Sequence, residues 1–336
     1  MSNRERAMDK MKAAVLVEPS KIVCEETPLF EPEAGQVVVK NHMAAICGSD
    51  LHQVFYGAYS PKLPAEPGWP GHEGVGEVVE SRSDNLKVGD LVLTVPGAGF
   101  QRCFADYQTL PDWWCLPLPK YEGPIEDLLM AQQFGTTIYA LRRGNMDFVG
   151  KTVAVLGQGS AGQFFAWQAK HLGARDVIVA DLSPARLAQS SVFGADISVK
   201  GDTEGLAIKE AVMDVTSGKG ADIVIEAVGK AETIQHAIDI ARPRGNVVFF
   251  GLPDTSDPVP FSYINFFMKQ LELYAVVGAQ AEEDLSSFHK ALDWIARREI
   301  NVSEMVSHRL TLEKIDEAMT LAHERDEDAL KVTLTF

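Results

Sequence analysis

The pattern of apolar and polar positions changes once along the chain, near residue 121. From residue 11 to about residue 118, short apolar runs of strand length are separated by glycine, proline and aspartate, which predicts a β-rich region with tight turns. Residues 124–143 have the apolar spacing of a helix, a break and a second helix. From residue 152, strand patterns alternate with helical patterns, which is typical of a parallel sheet with crossover helices.

The alternating part of the chain predicts the individual strands and helices of that parallel sheet. The predicted strands are TVAVLG, DVIVAD, ADIVIEAVG, NVVFFG and LELYAVVG. The predicted helices between them are AGQFFAWQAKHLG, PARLAQSSVFG and ETIQHAIDIARPRG. Two further helical segments and a last strand, LKVTLTF, follow after residue 278. Residues 1–10 are polar and charged and are predicted to be a loose leader.

Length and charge narrow the class of protein. The 336 residues are enough for about two domains of roughly 150 residues each. The net charge of −16 argues against a partner made of nucleic acid and against an anionic membrane surface, because both attract basic faces. The longest uncharged stretch, residues 152–169, contains three glutamines and three glycines, so it does not resemble a membrane span.

Cysteine usage predicts a reducing compartment. The chain has four cysteines, which are too few for a disulfide scaffold. They are Cys24, Cys47, Cys103 and Cys115. Because no signal-peptide pattern precedes them, we predict a cytoplasmic protein.

A glycine-rich turn predicts a dinucleotide site. The turn matches the pattern G-x-G-x-x-G and comprises Gly157, Gln158, Gly159, Ser160, Ala161 and Gly162. It follows an apolar strand and opens a predicted helix, as the dinucleotide-binding fingerprint requires. Gly157 permits the tight turn, Gly159 lets the backbone approach a pyrophosphate, and Gly162 allows close packing of helix on strand. The helix N-terminus then offers unpaired N–H groups to the phosphates.

The acidic residue of the fingerprint predicts which dinucleotide is bound. The second strand ends at Asp181, 19 residues after Gly162, where a carboxylate accepts hydrogen bonds from both ribose hydroxyls. It repels a 2′-phosphate, so NAD is favoured over NADP, although Arg186 lies five residues further on and weakens that preference. The alternative is that these glycines serve an ordinary strand–helix turn and that Asp181 is a plain loop carboxylate.

Two loops of the β-rich region contain residues of the kind that bind zinc. Cys47 follows a strand within CGSDLH, and His72 and Glu73 lie in GHEG, some twenty residues later. Thiolate, imidazole and carboxylate are ligands that Zn²⁺ prefers, and a bound zinc makes a hydroxyl far more acidic. The alternative is a cysteine that fills the core and a structural histidine.

The order of these motifs resembles one family of enzymes. The motifs CGSDLH, GHEGVGEVVE, VGDLV, GQGSAG and EAVG follow one another as in the medium-chain dehydrogenases/reductases of the zinc-dependent alcohol, polyol and threonine dehydrogenase type. The resemblance extends from residue 11 to the C-terminus. It implies an α/β protein, with a GroES-like catalytic domain at residues 11–135 and 279–336. A Rossmann domain, with a doubly wound parallel sheet, is expected at residues 136–278.

The resemblance also implies roles for particular residues. Cys47 and His72 correspond to zinc ligands, and Glu73 corresponds to the carboxylate that ligates zinc or exchanges with water. Ser49 corresponds to the hydroxyl that bridges the substrate oxygen to the cofactor ribose, and His52 to the end of a proton relay. These roles suit the side chains, since a serine hydroxyl both donates and accepts a hydrogen bond and histidine titrates near neutrality.

The chain departs from this family in its metal ligands. Gln132 stands where the family has its remaining zinc ligand, a cysteine or glutamate, and a neutral amide is a weaker ligand. Cys103 is a less favoured substitute for that ligand. The four-cysteine lobe that holds a structural zinc is missing between residues 96 and 107, so one zinc is expected. Asp50 is interpreted as a structural hydrogen-bonding residue.

Further cofactor contacts rest on the resemblance alone. Thr136 and Thr137 lie where related enzymes contact the nicotinamide half of the cofactor, through a hydroxyl or the backbone. Val228 and Gly229 end a predicted strand and are expected on the adenosine side. Ordinary packing at strand ends is the alternative for both pairs.

These observations predict a zinc-dependent oxidoreductase. The expected reaction transfers a hydride between NAD and a secondary alcohol or ketone, with a small polyol, sugar alcohol or amino alcohol as substrate. Two alternatives remain open: a zinc-independent reductase of enones or quinones, and a relative that binds a dinucleotide without catalysis. The resemblance implies a homodimer or homotetramer, and the strand LELYAVVG is the candidate edge for that association.

Overall fold

The computed structural model describes residues 10–57, 62–253, 257–325 and 328–336. They divide into two compact units. The first contains the described residues up to Gln132 and His289–Phe336, and the second contains Gln133–Phe288. The predicted leader lies outside the described residues except for Lys10, which begins the first strand. Within the described ranges, no helix is both long enough and apolar enough to cross a membrane.

The predicted strands and helices occur in the predicted order, and further strands and helices that the pattern did not predict lie between them. The strands are β1 (Lys10–Glu18), β2 (Lys21–Pro28), β3 (Gln36–Ala45), β4 (Glu73–Ser81), β5 (Leu91–Thr94), β6 (Tyr107–Pro111), β7 (Cys115–Pro117), β8 (Thr152–Leu156), β9 (Asp176–Asp181), β10 (Ile197–Lys200), β11 (Ala221–Glu226), β12 (Ala241–Phe249), β13 (Glu272–Ala275), β14 (Val306–Thr311) and β15 (Lys331–Thr335). The helices are α1 (Gly48–Phe55), α2 (Ile125–Leu129), α3 (Ala131–Arg143), α4 (Ser160–His171), α5 (Pro184–Ser190), α6 (Leu206–Val215), α7 (Ala231–Ile240), α8 (Tyr263–Lys269), α9 (Ser286–Ala296) and α10 (Ile315–Glu324).

The second unit contains a six-stranded parallel sheet in the order β10-β9-β8-β11-β12-β13. Its central strand β8 is buried on both faces, and successive residues of β8 pack into different cores. Val153 and Val155 belong to one apolar cluster, and Ala154 and Leu156 belong to another. This is the doubly wound Rossmann order, in which ligands bind at the carboxyl ends of the strands where the order reverses. In this sheet, the reversal lies between β8 and β11.

The first unit is built around a seven-stranded sheet that contains the path β14-β15-β3-β4-β5-β7, with β6 also paired to β3. The central strand β3 runs antiparallel to β15 on one side and to β4 on the other. Ala45, at the end of β3, pairs with Thr333 across one side and with Glu73 across the other. The start of β15, the end of β3 and the start of β4 therefore meet at one end of the sheet.

One predicted helix ends earlier than expected. The prediction extended the helix ETIQHAIDIARPRG to Gly245, but α7 ends at Ile240 and β12 begins at Ala241. Pro243 has no N–H to donate to a helix interior. The Lys269 ammonium also donates hydrogen bonds of 2.8–3.0 Å to the carbonyls of Ile238, Asp239 and Ala241. A side chain that is distant in sequence therefore caps the C-terminal end of α7.

Candidate functional site

The loop before α1 is held in place by an aspartate. Cys47 directly precedes α1, and its backbone N–H donates a hydrogen bond of 2.8 Å to Oδ2 of Asp50. Asp50 is fully buried, as a carboxylate is only when its partners are close. This contact fixes the backbone from which the Cys47 thiol projects.

The same aspartate orients His72. Its Oδ1 atom lies 2.9 Å from Nδ1 of His72, which also lies 3.2 Å from the carbonyl oxygen of Pro70. The other ring nitrogen, Nε2, lies 3.3 Å from Oγ of Ser49. Burial lowers the pKa of His72, but Asp50 and Cys47 together outweigh burial, and the net pKa lies well above its ordinary value. Because a metal binds neutral imidazole, metal binding would displace the proton of a protonated His72.

Three side chains bring metal-ligand atoms together. The ligand atoms of Cys47, His72 and Glu73 all lie within 4.8 Å of one another. His72 and Glu73 are buried, and Cys47 is partly buried. Zinc bonds of 2.0–2.3 Å in tetrahedral geometry place two ligands about 3.5 Å apart. Oε1 of Glu73 is buried and has no hydrogen-bond partner among the described residues. The donor types, the spacing and this unpartnered oxygen fit a single zinc ion.

A buried lysine completes this cluster and was not predicted from the sequence. Nζ of Lys331 lies 2.5 Å from Oε2 of Glu73, and the two side chains are 2% and 1% exposed. Burial lowers the pKa of Lys331, but the nearby Glu73, Cys47 and Asp50 together outweigh burial, so the net pKa lies above its ordinary value. The available signal was a lysine at the start of a strand of β-branched residues, which is also typical of a solvent-facing position.

The two candidates for a further ligand differ in their surroundings. Gln132 is buried beside the histidine loop, where its Nε2 donates a hydrogen bond of 3.2 Å to the carbonyl oxygen of His72. Its role as a ligand stays a prediction. Cys103 is fully buried, and burial, followed by the charges of Asp50 and Glu73, raises the pKa of its thiol well above the ordinary value. Its sulfur is not among the ligand atoms of the described residues that lie within 4.8 Å of one another, so Cys103 is the poorer candidate.

The proposed proton relay lies along one face of α1. Ser49 and His52 are three residues apart in this helix, and such residues are neighbours on its surface. His52 is 9% exposed, and its ring centroid lies 5.4 Å from that of Tyr56, which is half exposed. A relay from Ser49 to His52 stays a prediction that this helical spacing permits.

The glycine-rich turn has the backbone that the fingerprint predicts. Gly157 has φ of +91°, which favours glycine, and a Cβ on Gly162 would lie 1.9 Å from the Gly157 carbonyl oxygen. Among the described residues, a Cβ on Gly159 would meet no atom nearer than 4.0 Å, so the space beside this residue is open. Helix α4 begins at Ser160, and Ala161 follows in its first turn. Open space beside a helix N-terminus fits the approach of a pyrophosphate.

The acidic residue of the fingerprint lies next to this turn. Asp181 ends β9, and its Oδ2 accepts a 2.6 Å hydrogen bond from the backbone N–H of Gln158. Its Oδ1 accepts one of 2.8 Å from the N–H of Ser183. The nearest atom to a Cβ built on Gly159 is Nη1 of Arg186, at 4.0 Å. Asp181 and Arg186 therefore both lie near the turn, with opposite charges.

The remaining cofactor candidates differ in position. Val228 follows β11, and its Cγ2 would lie 2.7 Å from a Cβ on Gly157, so it adjoins the turn. Thr137 is fully buried, and its hydroxyl donates to the Phe134 carbonyl at 2.7 Å and accepts from Gln168 Nε2 at 2.8 Å. Because this hydroxyl is used within its own unit, a cofactor contact at Thr137 would have to involve the backbone.

Known proteins match both units of the chain. The family described as alcohol dehydrogenase GroES-like domain matches residues 33–120, and the family described as zinc-binding dehydrogenase matches residues 162–297. A sorbitol dehydrogenase of Bacillus subtilis is 27% identical, with 96% of each chain covered. An L-threonine 3-dehydrogenase of Mesorhizobium japonicum is 26% identical, over 94% of this chain and 95% of that one.

A solved structure agrees with these relatives. An alcohol dehydrogenase of Thermotoga maritima is 28% identical and superposes with a TM-score of 0.81, over 97% of this chain and 99% of that one. The family matches, the near-complete coverage and the two sheets all agree with the resemblance found in the motifs. The chain therefore belongs to the medium-chain dehydrogenase/reductase superfamily, in its zinc-type alcohol dehydrogenase branch.

Proposed function

We propose that this protein is an NAD-dependent dehydrogenase that uses one zinc ion to oxidise a secondary alcohol to a ketone, and that also runs the reverse reaction. The observation that carries the proposal is the grouping of Cys47, His72 and Glu73 within 4.8 Å. The relatives named as sorbitol and threonine dehydrogenases support a polar, hydroxylated substrate of the polyol, sugar-alcohol or amino-alcohol type.

The chain's own residues prepare the metal ligands and move the proton. Zinc bound to these ligands supplies a Lewis acid that lowers the pKa of a hydroxyl it polarises. Asp50 holds Nδ1 of His72 so that Nε2 is directed to the ligand group. Oγ of Ser49, beside Nε2, accepts the hydroxyl proton of the substrate and releases its own proton toward His52, on the same face of α1. Histidine then passes the proton to solvent near neutral pH.

The dinucleotide turn holds the hydride acceptor. Residues 157–162 would bind the pyrophosphate of NAD, whose nicotinamide ring supplies the chemistry of hydride acceptance. Asp181 would accept hydrogen bonds from the ribose hydroxyls and repel a 2′-phosphate, which supports NAD over NADP. Arg186, close to Gly159, reduces this selectivity without reversing it.

Metal analysis combined with a Cys47→Ser variant tests the proposal. The wild-type protein should bind one zinc per chain, and C47S should lose the metal and at least about 100-fold of its kcat/KM for alcohols with NAD. Cys24→Ser is the matched control, because Cys24 lies on β2 outside the ligand group. Full activity of C47S without bound metal would reject the zinc mechanism.

The same experiment distinguishes the alternatives. Turnover of an enone with NADPH that resists chelators would identify a zinc-independent reductase. Bound NAD without activity across a panel of polyols, amino alcohols and sugar derivatives would identify a non-catalytic relative. The panel also identifies the substrate, because each compound presents its secondary hydroxyl beside different polar groups.

We also propose a homodimer or homotetramer in the cytoplasm. Strand β13 is at the edge of the six-stranded sheet, and the neighbouring helix α8 exposes several large apolar side chains. An edge strand with an apolar neighbour is a template for pairing with a second copy. The four cysteines are free, as is usual in a reducing compartment.

A further inference from the structure

The last strand of the chain brings a lysine to the proposed metal ligands. Strand β15 pairs with β3 so that Thr333 lies opposite Ala45, and the Ile46 N–H donates to the Val332 carbonyl at 2.9 Å. This register, continued by two residues, places Lys331 beside Cys47. Strand β4 lies on the other side of β3 and begins with Glu73. Three neighbouring strands thus deliver a lysine, a cysteine and a glutamate to one end of the sheet.

Lys331 and Glu73 form a buried ion pair. Nζ lies 2.5 Å from Oε2, and at 2% and 1% exposure neither side chain has appreciable contact with solvent. A buried ammonium is costly unless a carboxylate compensates it, so the pair holds both side chains in one orientation. Among the described residues, Nζ has no further hydrogen-bond partner, so Glu73 is its main compensation.

The pair divides the two oxygens of Glu73 between two tasks. Oε2 contacts the ammonium, and Oε1 is buried without a hydrogen-bond partner in the described part of the chain. A carboxylate held by one oxygen can offer a metal only the other. With zinc bound, the positive charges of the ion and Lys331 balance the negative charges of the Cys47 thiolate, Asp50 and Glu73.

We propose that Lys331 is a positioning residue that holds Glu73 by Oε2, presents only Oε1 to the metal, and so makes Glu73 a weak, single-oxygen ligand. The inference rests on the proposed zinc site and deepens it. It predicts that removal of the lysine tightens zinc binding, because the carboxylate then becomes fully available and a neighbouring positive charge is lost. A purely structural lysine predicts the reverse, since damage to the sheet would loosen the ligands.

The first arm of the test measures the metal-free protein. Lys331→Met should lower its Tm, because Glu73 is left buried without a partner, and Lys331→Met combined with Glu73→Gln should recover most of the loss. The matched control is Thr333→Val, a buried position on the same face of β15, which should not respond to Glu73→Gln. Equal losses of Tm in Lys331→Met and in the double variant would overturn the inference, whether or not the protein binds zinc.

The second arm measures zinc affinity by competition with a chromogenic chelator. Lys331→Met should bind zinc about 10-fold more tightly than the wild type or better, and Lys331→Arg, which keeps the charge, should stay within about 3-fold of the wild type. Thr333→Val should leave the affinity unchanged. If K331M folds too poorly to measure, Lys331→Gln provides a smaller neutral side chain for the same comparison.

The outcomes separate this inference from the proposed function. The role of Lys331 alone would be overturned if the wild-type protein binds zinc tightly and the neutral variants Lys331→Met and Lys331→Gln bind it with unchanged or weaker affinity. A wild-type protein with no measurable affinity for zinc would overturn the proposed function and the role of Lys331 toward the metal. Tighter binding in the neutral variants, with near-wild-type binding in K331R, would establish that the charge at this position sets the affinity.

Discussion

The carboxylate of Asp50 lies 2.9 Å from Nδ1 of His72, and together with the Pro70 carbonyl it occupies that nitrogen and leaves Nε2 to face the other metal ligands. A histidine ligand whose second nitrogen is bound to a carboxylate has a fixed tautomer and a fixed ring orientation. Because Asp50 also accepts the N–H of Cys47, it orients two candidate ligands at once. It therefore supports the proposed zinc site without being a ligand itself.

Asp50→Asn is expected to lower zinc affinity by about 10- to 100-fold, as is usual for loss of a carboxylate that supports a ligand. Asparagine still fits the space, but it cannot accept through both oxygens and carries no charge to stabilise the imidazole. Chelator competition measures the affinity, and Asp84→Asn, at an exposed position, serves as the control. An unchanged affinity in D50N would show that the Asp50–His72 contact does not support metal binding.

Two glycines of the dinucleotide turn are expected to respond differently to the same substitution. Gly159→Ala should keep the wild-type Tm, because the nearest described atom to its Cβ, Nη1 of Arg186, is 4.0 Å away, yet it should raise KM for NAD by about 10-fold by obstructing the pyrophosphate. Gly162→Ala places a Cβ 1.9 Å from the Gly157 carbonyl oxygen and should cost about 1–3 kcal/mol of unfolding free energy. Thermal unfolding and cofactor titration separate the two effects, and unchanged NAD binding in G159A would contradict a pyrophosphate at this position.

Local patterns account for the parts of the fold and site that the sequence predicts. Alternation of strands and helices identifies the parallel sheet because each crossover helix connects neighbouring strands. The glycine turn is recognisable because its three glycines stand at fixed spacings within six residues of sequence. The metal ligands are recognisable because residues of ligand type, Cys47, His72 and Glu73, lie in short glycine-flanked loops. The family resemblance then indicates that the two loops contribute to one zinc site.

The parts that the sequence did not predict depend on contacts between distant residues. Lys331 and Thr333 alternate with Val332 and Leu334, which resembles a strand with one polar, solvent-facing side, but all four residues are buried in the sheet. Only the pairing of β15 with β3 brings Lys331 to Glu73, more than 250 residues earlier in the chain. The early end of α7 has the same kind of cause, because the ammonium of Lys269 caps it from outside the helix.

Asp181 is expected to control the choice of dinucleotide. Asp181→Asn removes the charge and replaces one accepting oxygen with a donor, so the ratio of kcat/KM for NAD to that for NADP should fall by about 10-fold or more. Adding Arg186→Ala should then reduce the use of NADP, because the nearby positive charge is lost. Steady-state kinetics with both cofactors checks this, and Tm is measured in parallel because Asp181 also accepts the Gln158 N–H. An unchanged ratio in D181N would place the origin of selectivity elsewhere.

An apolar surface on the second unit identifies the expected interface with a second copy. Four side chains of α8 are more than 60% exposed: Tyr263, Ile264, Phe267 and Met268. Strand β13, which follows α8, is only four residues long and borders the sheet. Large apolar side chains in contiguous exposed positions usually mark a contact with another protein, and a free strand edge beside them favours a partner that can extend the sheet.

If the chain forms the proposed oligomer, Phe267→Glu is expected to convert it to a monomer, because a charge at the centre of an apolar contact is buried without a partner when two copies associate. Light scattering coupled to size-exclusion chromatography measures the mass, at protein concentrations of about 1–50 μM to reveal any shift in the equilibrium. Val192→Glu is the matched control, because Val192 is an apolar residue of the same unit that is 62% exposed and lies outside α8. Because Phe267 is 61% exposed, F267E should not disturb the fold of the subunit itself. Any fall in Tm should come from the loss of association and should therefore vary with protein concentration in the same way as the measured mass. A wild-type protein that is monomeric throughout this range would exclude a subunit contact. An F267E variant with the mass of a wild-type oligomer would place the contact elsewhere.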